Sequence, residues 1–201
     1  EVVFRTKATK EQAPIYFADQ RIENTLPTSL KGTYQIHNVR TVLQTIEILN
    51  TGAFTIPTEA VQQGLLKVTE NTGLRGRWEV LGSFPTIICD TAHNREGLRL
   101  VFKQLLAEKF QRLHIVLGMV NDKDIPSLLE LFPKQAQYYF CKPNVPRGLE
   151  ASQLAQIFTE HGFEGSVYRS VKDALKAAKQ SASHDDLIYV GGSTFVVAEI
   201  I

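Results

Sequence analysis

Pro85-Thr86-Ile87-Ile88-Cys89-Asp90-Thr91-Ala92-His93-Asn94-Arg95-Glu96-Gly97 reads as a buried strand ending on a carboxylate, a short polar loop, and the first turn of an amphipathic helix. Asp90, His93, Asn94 and Arg95 crowd together where the apolar run stops. In an open α/β sheet, ligands bind outside the carboxyl ends of the strands. A carboxylate there can accept from sugar hydroxyls or a metal-bound water, and the helix that follows offers N–H groups to an anion. The plainer reading of Asp90 is a cap on that helix.

Downstream the alternation is regular. Spacing predicts a helix over 95–110, with Leu98, Val101, Phe102, Leu105 and Leu106 as its stripe. A nearly continuous apolar strand follows over 113–120, of the kind buried on both faces of a parallel sheet. Helices are expected over 125–132, 151–161 and 171–181, and strands over 136–141, 166–169 and 186–190. Gly162 suits a helix stop, and Gly191-Gly192-Ser193 leads into a short apolar tail helix. This order argues for an α/β fold, a doubly wound, mostly parallel sheet with helices on both faces. Upstream, Trp78–Gly82 is a strand joined to the next by Ser83-Phe84-Pro85. That link is too short for a crossover, so the first strand is expected to be antiparallel. The polar loops 90–94, 121–124, 143–147 and 191–193 would then emerge on one edge.

Residues 70–77 are polar, glycine-bearing and short of large apolar groups, and they set the boundary expected between a segment 1–76 and a domain 77–201. In the first segment, residues 2–5 suit either a strand or a helix, and Pro14–Ala18 reads as a strand closed by Asp19. A helix is predicted over 35–50 with Val39, Val42, Leu43, Ile46 and Leu49 on one face. Its first turn gathers Tyr34, Gln35, His37 and Asn38. Another helix should run from Pro57 to about Val68, with Ala60, Val61, Leu65 and Val68 as its stripe.

Composition excludes more than it selects. The chain has 201 residues, 43% of them apolar and 21% charged, ordinary values for a globular protein. A net charge of +1 gives no reason to expect nucleic acid or an anionic membrane. Two cysteines, Cys89 and Cys141, suit buried free thiols in a reducing compartment. No run reaches membrane-spanning length and no signal peptide opens the chain, so a cytoplasmic protein is expected; a monomer is the separate expectation for its assembly. The start at Glu1, without Met, fits a piece of something longer.

No Gly-Lys dipeptide occurs, so there is no Walker A loop, and G-x-G-x-x-G, H-E-x-x-H, C-x-x-C and G-x-S-x-G are also missing. Asp90 and His93 make only two metal-ligand candidates, and a loop bonding its own backbone explains them equally well. Lys123, between Asp122 and Asp124, is either a paired surface lysine or an anion binder. Gly191-Gly192 either admits a ligand closely or merely turns the chain.

Five strings in order resemble one family. They are Gly32-Thr33-Tyr34-Gln35-Ile36-His37-Asn38, Gly76-Arg77-Trp78-Glu79-Val80-Leu81-Gly82, Asp90-Thr91-Ala92-His93-Asn94, Gly118-Met119-Val120-Asn121-Asp122-Lys123-Asp124 and Gly191-Gly192-Ser193-Thr194-Phe195. Together they resemble the C-terminal half of folylpolyglutamate synthase/dihydrofolate synthase, in the Mur ligase superfamily. The resemblance implies the tail of an α/β central ATPase domain over 1–76 and a Mur-type C-terminal ligase domain over 77–201. It implies a reaction in which ATP phosphorylates a folate or dihydropteroate carboxylate and glutamate displaces the phosphate. ATP and Mg2+ are the implied cofactors, with the magnesium ligands and P-loop expected upstream, so the isolated chain is expected to be inactive. By resemblance Asn38 meets adenine, Arg77 the phosphates and Asp90 the ribose, with His93 and Ser193 near the incoming glutamate. Asn94, Lys123 and Arg147 keep open roles. The alternatives are a cell-wall Mur-type amino acid ligase and a non-catalytic nucleotide-binding module of the same fold.

Overall fold

A computed structural model describes residues 1–201. Two units result, one of Glu1–Ser29 with Tyr34–Gly73, the other of Leu30–Thr33 with Leu74–Ile201. The first unit is helical: α1 (Val2–Lys10), α2 (Ala18–Arg21), α3 (Gln35–Asn50), α4 (Thr58–Leu66) and α5 (Val68–Thr72). Its core is Val39, Val61 and Leu65, flanked by Leu26, Leu43, Ile46 and Ile56. The bounds of α3 are those its periodicity predicts, but its apolar stripe is narrower. Val42 is 40% exposed, whereas Gln44 is buried with its amide on Glu47. Ala60 likewise faces out of α4, and the helix expected to reach Val68 breaks at Lys67 and restarts. The strand expected over 14–18 does not form. This unit holds no other strand to supply a ladder, and a strand without a partner leaves its backbone groups unpaired. The segment runs extended only to Phe17, which starts α2.

The second unit carries the sheet. Its elements are β1 (Glu79–Ser83), β2 (Thr86–Cys89), α6 (Arg95–Leu105), β3 (Leu113–Leu117), β4 (Gln137–Phe140), α7 (Ala151–Glu160), β5 (Gly165–Val167), α8 (Val171–Ser181), β6 (Leu187–Gly191) and α9 (Thr194–Ala198). Strand order is β1-β2-β6-β3-β4-β5. The β1–β2 pair is antiparallel, as the short link requires, and every other pair is parallel. On one face Ile87, Cys89, Val116, Tyr139, Ile188 and Val190 meet Val171, Ala174 and Ala178 of α8 and Val196 and Val197 of α9. The alanines let α8 lie close to the strands. On the other face Phe132 packs against Phe102 of α6 and Phe158 of α7 with centroids 4.9 and 5.0 Å apart, and these two rings meet Tyr138, Phe140 and Tyr189 at 5.2–5.5 Å. Such ring pairs add about 0.5–1.5 kcal/mol each beyond their buried area.

Two helical predictions change. The helix after β2 ends at Leu105, where Ala107 and Glu108 turn back onto Gln104 and Leu105, and Leu106 is left 56% exposed. The segment over 125–132 is a 3-10 helix, Pro126–Leu131. Proline at its first position removes one N–H, and Leu128 N–H closes the tight i to i+3 bond to Ile125 at 2.8 Å. Both cysteines are buried and free, and burial pushes their thiols up to about 12. No helix is long and apolar enough to cross a membrane.

Candidate ligand site at the carboxyl edge of the sheet

Because β2, β3, β4 and β6 run parallel, the loops that follow them leave the sheet on one edge. Asp90 continues β2, its N–H bonded to Val190 O at 3.2 Å, and its side chain is buried. One carboxylate oxygen accepts Trp78 N–H at 2.7 Å and the other accepts Ala92 N–H at 2.8 Å. The helix cap belongs to Asn94 instead, whose Oδ1 accepts Gly97 N–H at 2.8 Å. Asp90 therefore ties two chain segments together rather than capping α6.

The segment it holds is unusual. Trp78 lies at φ +49°, a left-handed conformation that costs a side-chain-bearing residue roughly 1–2 kcal/mol. Gly76 lies at φ +71°, where an added Cβ would stand 2.8 Å from Val197 Cγ1. Its C=O accepts Thr91 N–H at 3.0 Å, its N–H donates to Glu79 at 2.7 Å, and Glu79 also pairs with Arg75. Arg77 is thus fixed between two left-handed residues, with its side chain exposed.

His93 is exposed, and its Nδ1 is 3.0 Å from Thr91 O. A carbonyl only accepts, so Nδ1 carries the proton and Nε2 of the neutral ring is the acceptor. Ser193 is buried, and its hydroxyl accepts Phe195 N–H at 3.2 Å at the start of α9. The glycine pair before it answers to packing. A Cβ on Gly191 would strike the Tyr189 ring, and one on Gly192 would come within 2.5 Å of Leu117.

Asp122 stands between two cations, 3.8 Å from Lys123 Nζ and 3.6 Å from Arg147 Nη1. The Arg147 guanidinium also lies 5.0 Å from the Phe195 ring centre. Backbone bonds zip these loops together: Asn121 N–H to Arg147 O and Leu149 N–H to Met119 O, both 2.9 Å. Arg95 is committed elsewhere, to Ser127 O and Glu130. Asn38 belongs to the other unit, exposed in the first turn of α3, where its amide donates to Gln35 at 2.8 Å. No three His, Cys, Asp or Glu side chains come together to hold a metal ion. This chain's residues do not gather a donor set for a divalent cation.

Sequence reasoning missed the partners: Trp78 N–H on Asp90, Glu79 under Gly76, and Asp122 with Phe195 around Arg147. It also missed a second polar cluster at the opposite, amino edge. There Asp186 is buried and accepts Ser183 N–H at 2.7 Å and Arg112 N–H at 3.0 Å. The Arg112 guanidinium and His114 Nε2 add contacts at 3.1 and 3.2 Å, and His114 Nδ1 meets Tyr139 OH at 2.9 Å. Burial alone would raise the Asp186 carboxyl, but Ser183 N–H, His114 and Arg112 outweigh it and hold it below its usual range. Asp186 at the head of an apolar strand was the available signal.

Comparison with known proteins points the same way. A probable bifunctional folylpolyglutamate synthase/dihydropteroate synthase of Haloferax volcanii is 32% identical over 171 residues, covering 85% of this chain and 20% of that protein. The structure of E. coli FolC in complex with DHPP and ADP superposes with a TM-score of 0.72 at 25% identity, covering 89% of this chain and 40% of that one. A bifunctional folylpolyglutamate synthase/dihydrofolate synthase with Mn, AMPPNP and L-glutamate bound gives 0.70 at 29% identity, over 87% of this chain and 40% of that one. This chain therefore spans only 20% to 40% of the length of these proteins. The family model described as Mur ligase, glutamate ligase domain, matches residues 76–194, from Gly76 through the carboxyl-edge loops to Thr194. With more than half of its length matched, the chain belongs to the Mur ligase family, through that family's glutamate ligase domain.

Proposed function

We propose that this chain is the C-terminal portion of an ATP-dependent ligase that joins glutamate to a folate or dihydropteroate carboxylate through an acyl phosphate. Residues 1–76 are then the C-terminal part of a central ATPase domain and 77–201 the ligase domain. The observation that carries the reading is that the loops of the matched segment converge on one sheet edge, where Asp90 and Gly76 hold Arg77 outward. Relatives described with ADP, AMPPNP and L-glutamate support the substrate class.

In this reading ATP supplies the phosphoryl group, and magnesium is held by residues outside this chain. Arg77 suits the phosphates, since a guanidinium fork matches their oxygens. Asp90 is assigned to the ribose hydroxyls, since a carboxylate suits a diol. Asn38 is assigned to the adenine edge, which an amide reads by both donating and accepting. His93 Nε2 accepts a hydrogen bond from the incoming amino group, and Ser193 is likewise assigned to the glutamate.

The test is a ligase assay on a longer protein carrying this segment, with ATP, magnesium, glutamate and either dihydropteroate or a reduced folate. Mass spectrometry should show the acceptor gaining one glutamyl residue. Turnover of a muramyl precursor instead of the pteroates would move the chain to the cell-wall branch. Nucleotide binding without any turnover would favour a non-catalytic module.

A further inference from the structure

We propose that the pocket between α2 and α3 seats an extended segment of the longer protein's own polypeptide, gripped through its backbone by Arg40 and Gln44; this rests on the reading above that residues 1–76 are part of a larger domain. The pocket measures about 430 Å³, and Tyr16, Asp19, Arg40, Gln44, Thr45 and Ile48 help to line it. Two polar atoms of these residues, Arg40 Nε and Gln44 Oε1, are buried and bond to no other group of the chain. Gln44 is only 4% exposed, and its amide nitrogen is committed to Glu47 at 3.1 Å. A buried donor or acceptor without a partner is costly. Two of them, one helical turn apart on α3, point to a group that meets both.

The pair selects its occupant. Arg40 Nε–H donates and Gln44 Oε1 accepts. An anion would satisfy the arginine alone and would face Asp19, which lines the same pocket. A cation would satisfy the glutamine alone. A neutral donor beside a neutral acceptor answers both. A residue of an extended chain presents its N–H and its C=O on one side, as paired antiparallel strands do when they exchange both bonds. Side chains four apart on a helix start about 5–6 Å from each other at Cβ, a spacing that such a residue can bridge. Tyr16 and Ile48 are exposed at this pocket, where they suit the side chains flanking that residue. The unit around them has Val39, Val61 and Leu65 as its core, while Phe4, Ile15 and Phe54 are exposed. So thin a core beside so much apolar surface fits one part of a larger packed body. The relatives have the length to supply the rest, since this chain spans 20% to 40% of them.

The experiment places a cysteine at Thr45, an exposed lining position, and follows its labelling by a maleimide. Cys89 and Cys141 are buried, so T45C supplies the reactive thiol of this segment, and peptide mass spectrometry reads it in either protein. Labelling should be at least about tenfold slower in the longer protein than in the 201-residue chain. Adding R40M and Q44L should return most of that rate in the longer protein and leave the rate in the 201-residue chain unchanged. In the 201-residue chain this double variant should unfold no earlier than wild type, because it removes two buried polar atoms that hold no bond there. A lower midpoint would mean that the two atoms are already satisfied within the chain, and would overturn the proposal. Equal labelling of the two proteins would overturn it, as would protection that R40M and Q44L leave intact. Protection that needs added ATP or folate would give the pocket to a small molecule and overturn it too. None of these measurements requires turnover, so a longer protein that ligates nothing would end the functional reading without deciding this one.

Discussion

Asp90 and Asp186 stand at opposite ends of the paired strands β2 and β6, and each is only 2% exposed. Both accept two backbone N–H groups. There the likeness stops. Asp186 adds a histidine and an arginine, and the charge it carries is answered inside the fold. Asp90 places its oxygens on Trp78 N–H, next to Arg77, and on Ala92 N–H within the 90–94 loop. Burial and a displaced carboxyl pKa are common marks of functional sites. Here Asp186, whose carboxyl is displaced downward, marks the sheet's foundation, and the candidate site lies at the other end.

The contrast can be broken at its strongest point first. Asp186→Ala should cost about 3–5 kcal/mol of stability in urea unfolding, because it strands buried donors and His114. Nucleotide affinity of the folded fraction of the longer protein should not change. The same residue sharpens the contrast through pH. Its carboxyl is held below the ordinary 3.8, so its stabilisation is fully present above that pH and is lost as pH falls through the folded value. Asp186→Asn should flatten that acid limb of the stability curve.

Asp90→Ala comes next, with roughly 1.5–3 kcal/mol expected off ATP binding by calorimetry on the longer protein. Stability should fall as well, since Trp78 N–H loses its acceptor. Were ATP affinity to hold while stability fell, both aspartates would be structural and the contrast would collapse. Asn94→Ala removes the α6 cap and should cost about 1 kcal/mol, with every KM unchanged. His93→Ala should leave stability alone and raise only the KM for glutamate. An equal rise for ATP would make its bond to Thr91 the purpose of the ring.

These elements also show what a sequence discloses. Helices α3 and α8 occupy the predicted residues, and the parallel order follows from strands and helices alternating at short pitch. Periodicity reports burial directly, so the core of the sheet was legible. It could not show that Pro14–Ala18 has no neighbouring strand, because pairing is a property of the whole unit. Nor could it distinguish a 3-10 turn from an α-helix in six residues led by proline. At the site, the strand-end carboxylate and the polar loops were visible as local clusters. Their partners were not. Trp78 and Asp90 are 12 residues apart, and His114 and Asp186 are 72 apart. Only the sheet brings such residues together.

The position of β6 has a consequence for synthesis. It is the last of this sheet's six strands in chain order, yet it lies between β2 and β3. A nascent chain that has released β1 to β5 from the ribosome holds two half-sheets, β1–β2 and β3–β4–β5, with no strand to join them. Their facing edges are apolar and unpaired, the kind of surface that recruits other chains. Assembly of this unit therefore waits on Leu187 to Gly191 to emerge and slide into the gap. A stop codon ahead of Leu187 would leave two open edges in place of a slightly smaller domain.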